Sequence, residues 1–211
     1  MLIPAPAGIS FSARLFTPNI MLSEPKMQPV PPLAALGRRI VIMGPSNAGK
    51  STLAAAISQQ TGLPVVHLDQ LHHQPNTDWQ PRPAAEFHAL QRAAIAQDSW
   101  IMDGNYSTLL PERLARATGA IVLDDNRWLR LARYFRRTLL QRRRVGNLEG
   151  NQDSIKWSMI SWVLVGSRFN GARYRDVVSQ TKLPAVFAHT MTDVRSLYEV
   201  WALSSTDNRR F

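Results

Sequence analysis

Residues 44–51 read Gly44-Pro45-Ser46-Asn47-Ala48-Gly49-Lys50-Ser51, which has the spacing G-x-x-x-x-G-K-[ST] of a Walker A phosphate loop. Glycines at these places let the backbone wrap, so that successive N–H groups point at a β-phosphate. A helix starting at Ser51 adds the positive end of its dipole. Lys50 can then bridge β- and γ-phosphates, the Ser51 hydroxyl can ligate Mg²⁺, and Thr52 reaches the α-phosphate. The expected site for ATP and Mg²⁺ is thus Gly44, Pro45, Ser46, Asn47, Ala48, Gly49, Lys50, Ser51 and Thr52. Four fixed positions recur by chance in about one chain in a hundred of this length. Here the required context is present on both sides, an apolar strand Ile40-Val41-Ile42-Met43 before the loop and a helix over Ser51–Gln60 after it.

Three acidic residues follow apolar runs. Asp69 comes after Val65-Val66-His67-Leu68, Asp103 after Trp100-Ile101-Met102, and Asp124 after Ile121-Val122-Leu123. Ligands of open α/β sheets sit at the carboxyl ends of strands, so all three are expected to converge on the phosphate loop. Carboxylates there can hold the water shell of Mg²⁺ and accept a proton from an acceptor hydroxyl. One Asp at a strand end suits turn chemistry alone; three beside a phosphate loop point to function.

Arginine supplies the opposite charge. Eight arginines and no acidic residue lie between Arg127 and Arg144, and Arg130, Arg133, Arg137 and Arg144 recur at helical spacing along one stripe. Arg168, Arg173 and Arg175 follow. A solvated basic face accounts for most of these, but phosphoryl transfer also needs cations that close over the γ-phosphate and exclude water. The histidines His67, His72, His73 and His88 do not show the spacing of a zinc site, and read as hydrogen-bonded or solvent-facing side chains. His72, near Asp69, is placed to contact an acceptor; Trp79 and Trp157 suit base stacking or packing.

The elements that must position these groups alternate. Strands are predicted at 40–43, 63–68, 100–102, 120–123 and 185–188. Helices are predicted at 51–60, 84–97 (Phe87, Leu90, Ala94, Ile95 inward), 109–117 and 128–144, with a last one on Val194, Leu197 and Trp201. That order means a parallel sheet covered on both faces. Seven of the 14 prolines fall in the first 32 residues, where no hydrophobic period survives, so residues 1–37 read as a disordered leader. Met21 and Met27 are alternative starts. Residues 145–183 are too long for a simple crossover and read as a lid insertion with a helix at 154–165. The rest, 38–211, is one domain.

From Gly44–Thr52 through His67-Leu68-Asp69-Gln70-Leu71-His72 and Asp103-Gly104-Asn105-Tyr106 to Asp124, Arg127-Trp128 and the arginines to Arg175, the chain resembles adenylate kinase and its nucleotide-kinase relatives. It is most similar to the P-loop group called DNA topology modulation proteins, also labelled AAA-family ATPases, over about 38–203. The resemblance implies a P-loop NTPase three-layer α/β sandwich, with a five-stranded parallel sheet of order 2-3-1-4-5 and an Arg-rich lid. It implies that Arg133 and Arg137 sit at the lid base beside adenine and phosphates, and that Asp103 is the magnesium-shell aspartate; from its place after the fourth strand, Asp124 is expected to reach Mg²⁺ through water as well. Adenylate kinase carries Phe-Pro-Arg after its Asp-Gly where this chain has Asn105-Tyr106-Ser107, so the arginine that grips an acceptor nucleotide is missing.

Composition sets the outer bounds. With 211 residues and 45% hydrophobic content the chain can bury a core, and zero cysteines exclude disulfides and a cysteine nucleophile and fit a reducing, cytoplasmic setting. No run of eighteen apolar residues occurs. The net charge of +10 attracts phosphate without naming its bearer. The reading favoured is a kinase-like ATP-dependent phosphotransferase, catalysing with Lys50, Asp69, Asp103, Arg133 and Arg137. Its substrates are ATP and a small hydroxyl or phosphate acceptor, and it is expected as a monomer or weak dimer. The alternative is a regulatory ATPase with a nucleic-acid-binding surface.

Overall fold

The computed structural model describes residues 29–77, 79–124 and 170–204. Five strands form one sheet, β1 (Arg39–Met43), β2 (Val65–His67), β3 (Trp100–Asp103), β4 (Gly119–Leu123) and β5 (Ala185–Ala188), in the order β2-β3-β1-β4-β5. Every pairing is parallel; Ile42 lies opposite Asp103 on one side and Ile121 on the other. The central strands β1, β3 and β4 are apolar almost without interruption and buried along their length, as a sheet covered on both faces requires.

Alternation along β1 sends successive residues to opposite layers. Ile40 and Ile42 join Leu53 and Ile57 of α1 (Lys50–Thr61) and Leu197 of the last helix, α6 (Met191–Val200). Val41 and Met43 join Ile95 of α3 (Ala84–Ile95), Leu110 of α4 (Leu110–Arg116), and Tyr174 and Val178 of α5 (Asn170–Ser179). The short helix α2 (Leu68–His72) follows β2 directly. The result is three layers, helix–sheet–helix, with all five strand ends on the side that carries the phosphate loop.

Four sequence expectations change. Residues 29–37, assigned by their prolines to the leader, belong to the domain. Leu36 is fully buried in the same cluster as Ile40, Val30 and Leu33 pack on that cluster, and Trp201 donates its indole N–H to the Pro31 carbonyl at 2.8 Å. Proline density masked an apolar anchor at 30, 33 and 36. Residues 1–28 lie outside the described residues.

Residues 170–179, placed by the sequence within an insertion at 145–183, form helix α5, while 145–169 lie outside the described residues. Tyr174 and Val178, one helical turn apart, are buried against β4 and β5, so α5 is a packing helix of the sheet. Asp69 sits in the first turn of α2 and not at the end of a strand, because the chain turns helical at Leu68. Leu90, expected inward, is 37% exposed, while Gln91 is buried beside it. The helices expected at 128–144 and 154–165 lie outside the described residues.

The amino-terminal anchor gives a direct test. Deletion of residues 1–28 is expected to leave the melting temperature unchanged, since they carry no apolar period. Leu36→Ala is expected to cost about 2–5 kcal/mol in chemical denaturation, as large-to-small changes at fully buried positions do.

Candidate nucleotide and acceptor site

The turn from β1 into α1 is built by three residues with positive φ: Gly44 at 141°, Asn47 at 63° and Gly49 at 90°. At Gly44 a side chain is excluded on two grounds, the backbone conformation and the carbonyl of Leu123 that a Cβ would strike. The loop therefore lies directly on the end of β4. Gly49 caps α1 in the left-handed region, and no side chain caps that helix. Its first backbone N–H groups, at Lys50, Ser51 and Thr52, precede the first intrahelical bond, Leu53 N–H to Gly49 at 3.0 Å. The Lys50 ammonium bridges the loop, 2.9 Å from the carbonyls of both Gly44 and Pro45. A ring of backbone donors with a cation across it fits the β- and γ-phosphates of a nucleotide.

A second loop, Asp103–Tyr106 at the end of β3, is fastened to the first. The Asn105 side chain forms two bonds with one residue of the phosphate loop. It accepts from the Gly44 N–H at 3.2 Å and donates to the Gly44 carbonyl at 2.7 Å. Arg113, fully buried on α4, donates to the carbonyls of Gly104 at 3.1 Å and Tyr106 at 2.5 Å, and burial pulls its guanidinium down to about 10. The Tyr174 hydroxyl donates to the Asn105 carbonyl at 3.1 Å. Neither Arg113 nor Tyr174 stood out in the sequence. Arg113 could have been found, because it interrupts an otherwise apolar face, Leu110-x-x-Arg113-x-x-x-Ala117, at helical spacing.

The three aspartates divide. Asp103, 4% exposed, has one carboxylate oxygen 2.7 Å from His67 Nδ1 across the β2–β3 pairing. Asp69 is exposed and accepts a 2.8 Å hydrogen bond from the Tyr106 hydroxyl. Burial, then the Asp69 charge and that bond, push the Tyr106 phenol far above its ordinary range, so it stays a donor. Asp124 is held at 2.5 Å by Arg175 of α5, which also lies 3.0 Å from His189 Nδ1. Gly171 packs its backbone against the same carboxylate. Asp69 and Asp103 are therefore joined through one loop, while Asp124 ties α5 to the sheet. Arg133 and Arg137 lie outside the described residues.

Beside Asp69 stands a wall of rings. His72 packs on Phe87 and Tyr106, with centroids 5.0 and 4.7 Å away, and His73 packs on Trp79 at 5.2 Å. The hairpin carrying Trp79 is closed by Gln74 N–H to Gln80 at 2.9 Å and Arg82 N–H to His72 at 2.7 Å. Burial and the neighbouring His73 lower the His72 imidazole below its ordinary 6.5, against the opposing pull of Asp69. Among the described residues no group of three or more His, Asp or Glu could hold a metal ion. For Mg²⁺ bound with nucleotide, Ser51 and Asp103 are the residues of the right chemistry at the loop.

A phosphate loop between the central strand and its helix, in a parallel sheet of order 2-3-1-4-5, decides the architecture. The fold is that of a P-loop NTPase. Over residues 38–109 the chain matches the family described as Isopentenyl transferase, a stretch that runs from β1 through the phosphate loop past Tyr106. No curated protein matches it. Among solved structures it is similar to a gluconokinase from Sinorhizobium meliloti, at 17% identity and TM-score 0.47, covering 79% of this chain and 93% of that one. It is also similar to a shikimate kinase from Bacteroides thetaiotaomicron, at 16% identity and TM-score 0.44, covering 79% and 99%. A sugar kinase from Janibacter sp. follows, at 13% identity and TM-score 0.42, covering 82% and 99%.

Two measurements check this geometry. Asn105→Ala removes two bonds of about 1 kcal/mol each, and is expected to weaken ATP binding about 30-fold in calorimetry. The second concerns His72. Its folded-state pKa lies below that of the unfolded chain, so the unfolded state takes up the proton first and stability falls as pH drops below 6.5. The melting temperature of His72→Asn is therefore expected to fall less than that of the parent between about pH 7.5 and about pH 5.5.

Proposed function

We propose that this protein is an ATP-dependent phosphotransferase of the adenylate-kinase-like group that includes the DNA topology modulation proteins, and that it transfers the γ-phosphoryl group to a small acceptor. The observation that carries the reading is the pair of hydrogen bonds between Asn105 and Gly44. It makes the loop that presents Asp103 and Tyr106, and through Tyr106 the exposed Asp69, one piece with the phosphate loop. Two ligand positions held at a fixed offset are what a transfer between two substrates needs. A hydrolytic switch has no use for an exposed, positioned carboxylate on the acceptor side.

In this reading the phosphate chain of ATP lies on the N–H groups from Gly44 to Thr52, with the Lys50 ammonium moving from the two loop carbonyls to the phosphate oxygens. Mg²⁺, when bound, neutralises charge on the β- and γ-oxygens; Ser51 would ligate it and Asp103 would hold its water shell. His67 keeps Asp103 in one orientation. The acceptor hydroxyl lies against Asp69. Its oxygen bonds to the γ-phosphorus as the bond to the β,γ-bridging oxygen breaks. That electron pair leaves on ADP, and the hydroxyl proton passes to the Asp69 carboxylate. Asp124, engaged by Arg175, is assigned no part in the metal shell. Arg133 and Arg137 are proposed to close over the transferring group. Among the described residues no helix is long and apolar enough to cross a membrane; we place the reaction in the cytoplasm.

Lys50→Ala tests the reading. Because Lys50 projects from a loop, the variant is expected to fold with an unchanged circular dichroism spectrum. Its turnover should fall by several orders of magnitude, in line with the loss of charge stabilisation at the transferring group. ADP release at the parent rate in a coupled assay would refute the assignment.

A further inference from the structure

The hydrogen bonds around Asp69 restrict what can lie beside it. His73 Nδ1 is 3.0 Å from the backbone carbonyl of Asp69, and a carbonyl oxygen only accepts, so Nδ1 carries the hydrogen. With the ring neutral, His73 Nε2 is a lone pair. It lies 3.1 Å from His72 Nδ1, which must therefore donate. Two linked imidazoles thus leave His72 Nε2 as a lone pair, and no described residue engages it. The Tyr106 proton is spent on Asp69 Oδ1, which leaves Asp69 Oδ2 accepting. Both polar groups on this side are acceptors, and one of them is an anion.

Two described cations stand by this wall, and each gives guanidinium N–H groups to protein acceptors, although the Nε of each is buried without a hydrogen-bond partner. Arg82, whose N–H holds the His72 carbonyl, gives its guanidinium to Glu86 at 2.7 Å. Arg113, behind Tyr106, is buried and serves the carbonyls of Gly104 and Tyr106. The remaining surface is aromatic, with His72 tilted 31° against Tyr106 and Trp79 edge-on to His73. Trp79 is held there at φ 69°, a conformation a bulky side chain adopts only under constraint.

The structure assigns to this subsite an uncharged vicinal diol as phosphoryl acceptor, its hydroxyls donating to Asp69 Oδ2 and His72 Nε2 and its apolar face lying on the His72, Tyr106 and Trp79 rings. The assignment rests on the phosphotransferase reading above and narrows it. Hydroxyls are the one common ligand group that can donate to two acceptors at once and still supply the attacking oxygen. A second phosphate or a carboxylate would meet the Asp69 charge, and among the described residues Arg82 and Arg113 bond to Glu86 and to backbone carbonyls, which disfavours nucleoside monophosphates and hydroxy acids here. Few placed polar groups on an aromatic wall are the usual makeup of a small-molecule site. Sugars or alditols and ribonucleosides share the diol, and the experiment separates them.

The full-length protein is incubated with Mg²⁺ and ATP against four acceptor sets: pentoses, hexoses and alditols; ribonucleosides; nucleoside monophosphates; and hydroxy acids. Phosphorylated product is read by mass spectrometry and ATP binding by calorimetry. Product in the first or second set and none in the third or fourth supports the assignment and names the source of the diol. For the acceptor so found, Asp69→Asn is expected to lower kcat about a hundredfold or more and to raise KM, with ATP affinity unchanged. His72→Phe should also raise KM, and His72→Gln, which restores an acceptor, should recover part of the loss. Product from a monophosphate or a hydroxy acid overturns the diol and leaves the phosphotransferase standing. Bound ATP with hydrolysis but no transfer in any set overturns both.

Discussion

The structure turns on one side-chain amide. Asn105 holds both polar atoms of the Gly44 peptide, accepting from its N–H and donating to its carbonyl. Gly44 has no alternative position, since its backbone conformation needs glycine and its Cα lies against the carbonyl of Leu123. The phosphate loop is thus fixed on one side by β4 and on the other by the loop after β3. Anything that moves Asn105 moves the first residue of the phosphate loop, and with it the amide groups aimed at the nucleotide.

Asn105 is in turn held from behind. Its carbonyl takes the Tyr174 hydroxyl, and the carbonyls of Gly104 and Tyr106 on either side take the buried guanidinium of Arg113. A buried arginine costs solvation, which burial expresses as a lowered pKa, and the cost is offset only because planar guanidinium donors match two carbonyls at fixed positions. The same loop then reaches Asp69 through the Tyr106 hydroxyl, so one continuous set of bonds runs from the Lys50 bridge to the acceptor carboxylate. In physical terms this is preorganisation: in the proposed reaction both substrates would meet groups whose positions are set before either arrives.

The third feature is the separation of charge. The phosphate-loop side presents backbone donors and an ammonium, while the Asp69 side presents acceptors and rings. In the proposed reaction this contrast in polarity would tell an acceptor apart from a donor phosphate. Asp124 and Arg175 lie outside this division. Their ion pair, with His189 against the guanidinium, fastens α5 to the ends of β4 and β5.

The phosphate loop, the five strands and both faces of the sheet follow from local pattern. Apolar runs of three or four residues ending at Gly44, Asp103 or Asp124 and alternating with helical patterns read as buried parallel strands, and a glycine-rich turn before a helix has few conformations. The parts that misled were those where local composition and tertiary packing disagree. Prolines at 29, 31 and 32 suggested disorder, yet Leu36 and Trp201, 165 residues apart in the chain, meet in one cluster. Three aspartates looked equivalent because each follows an apolar run. Only the fold sends one to histidine, one to tyrosine and one to arginine, since each partner arrives from a different crossover. The residue types determined that a phosphate-loop turn would form at Gly44–Thr52 between β1 and α1. Which partner each carboxylate takes was decided by tertiary structure, because hydrogen-bond partners distant in sequence set the orientation of a side chain and local pattern does not.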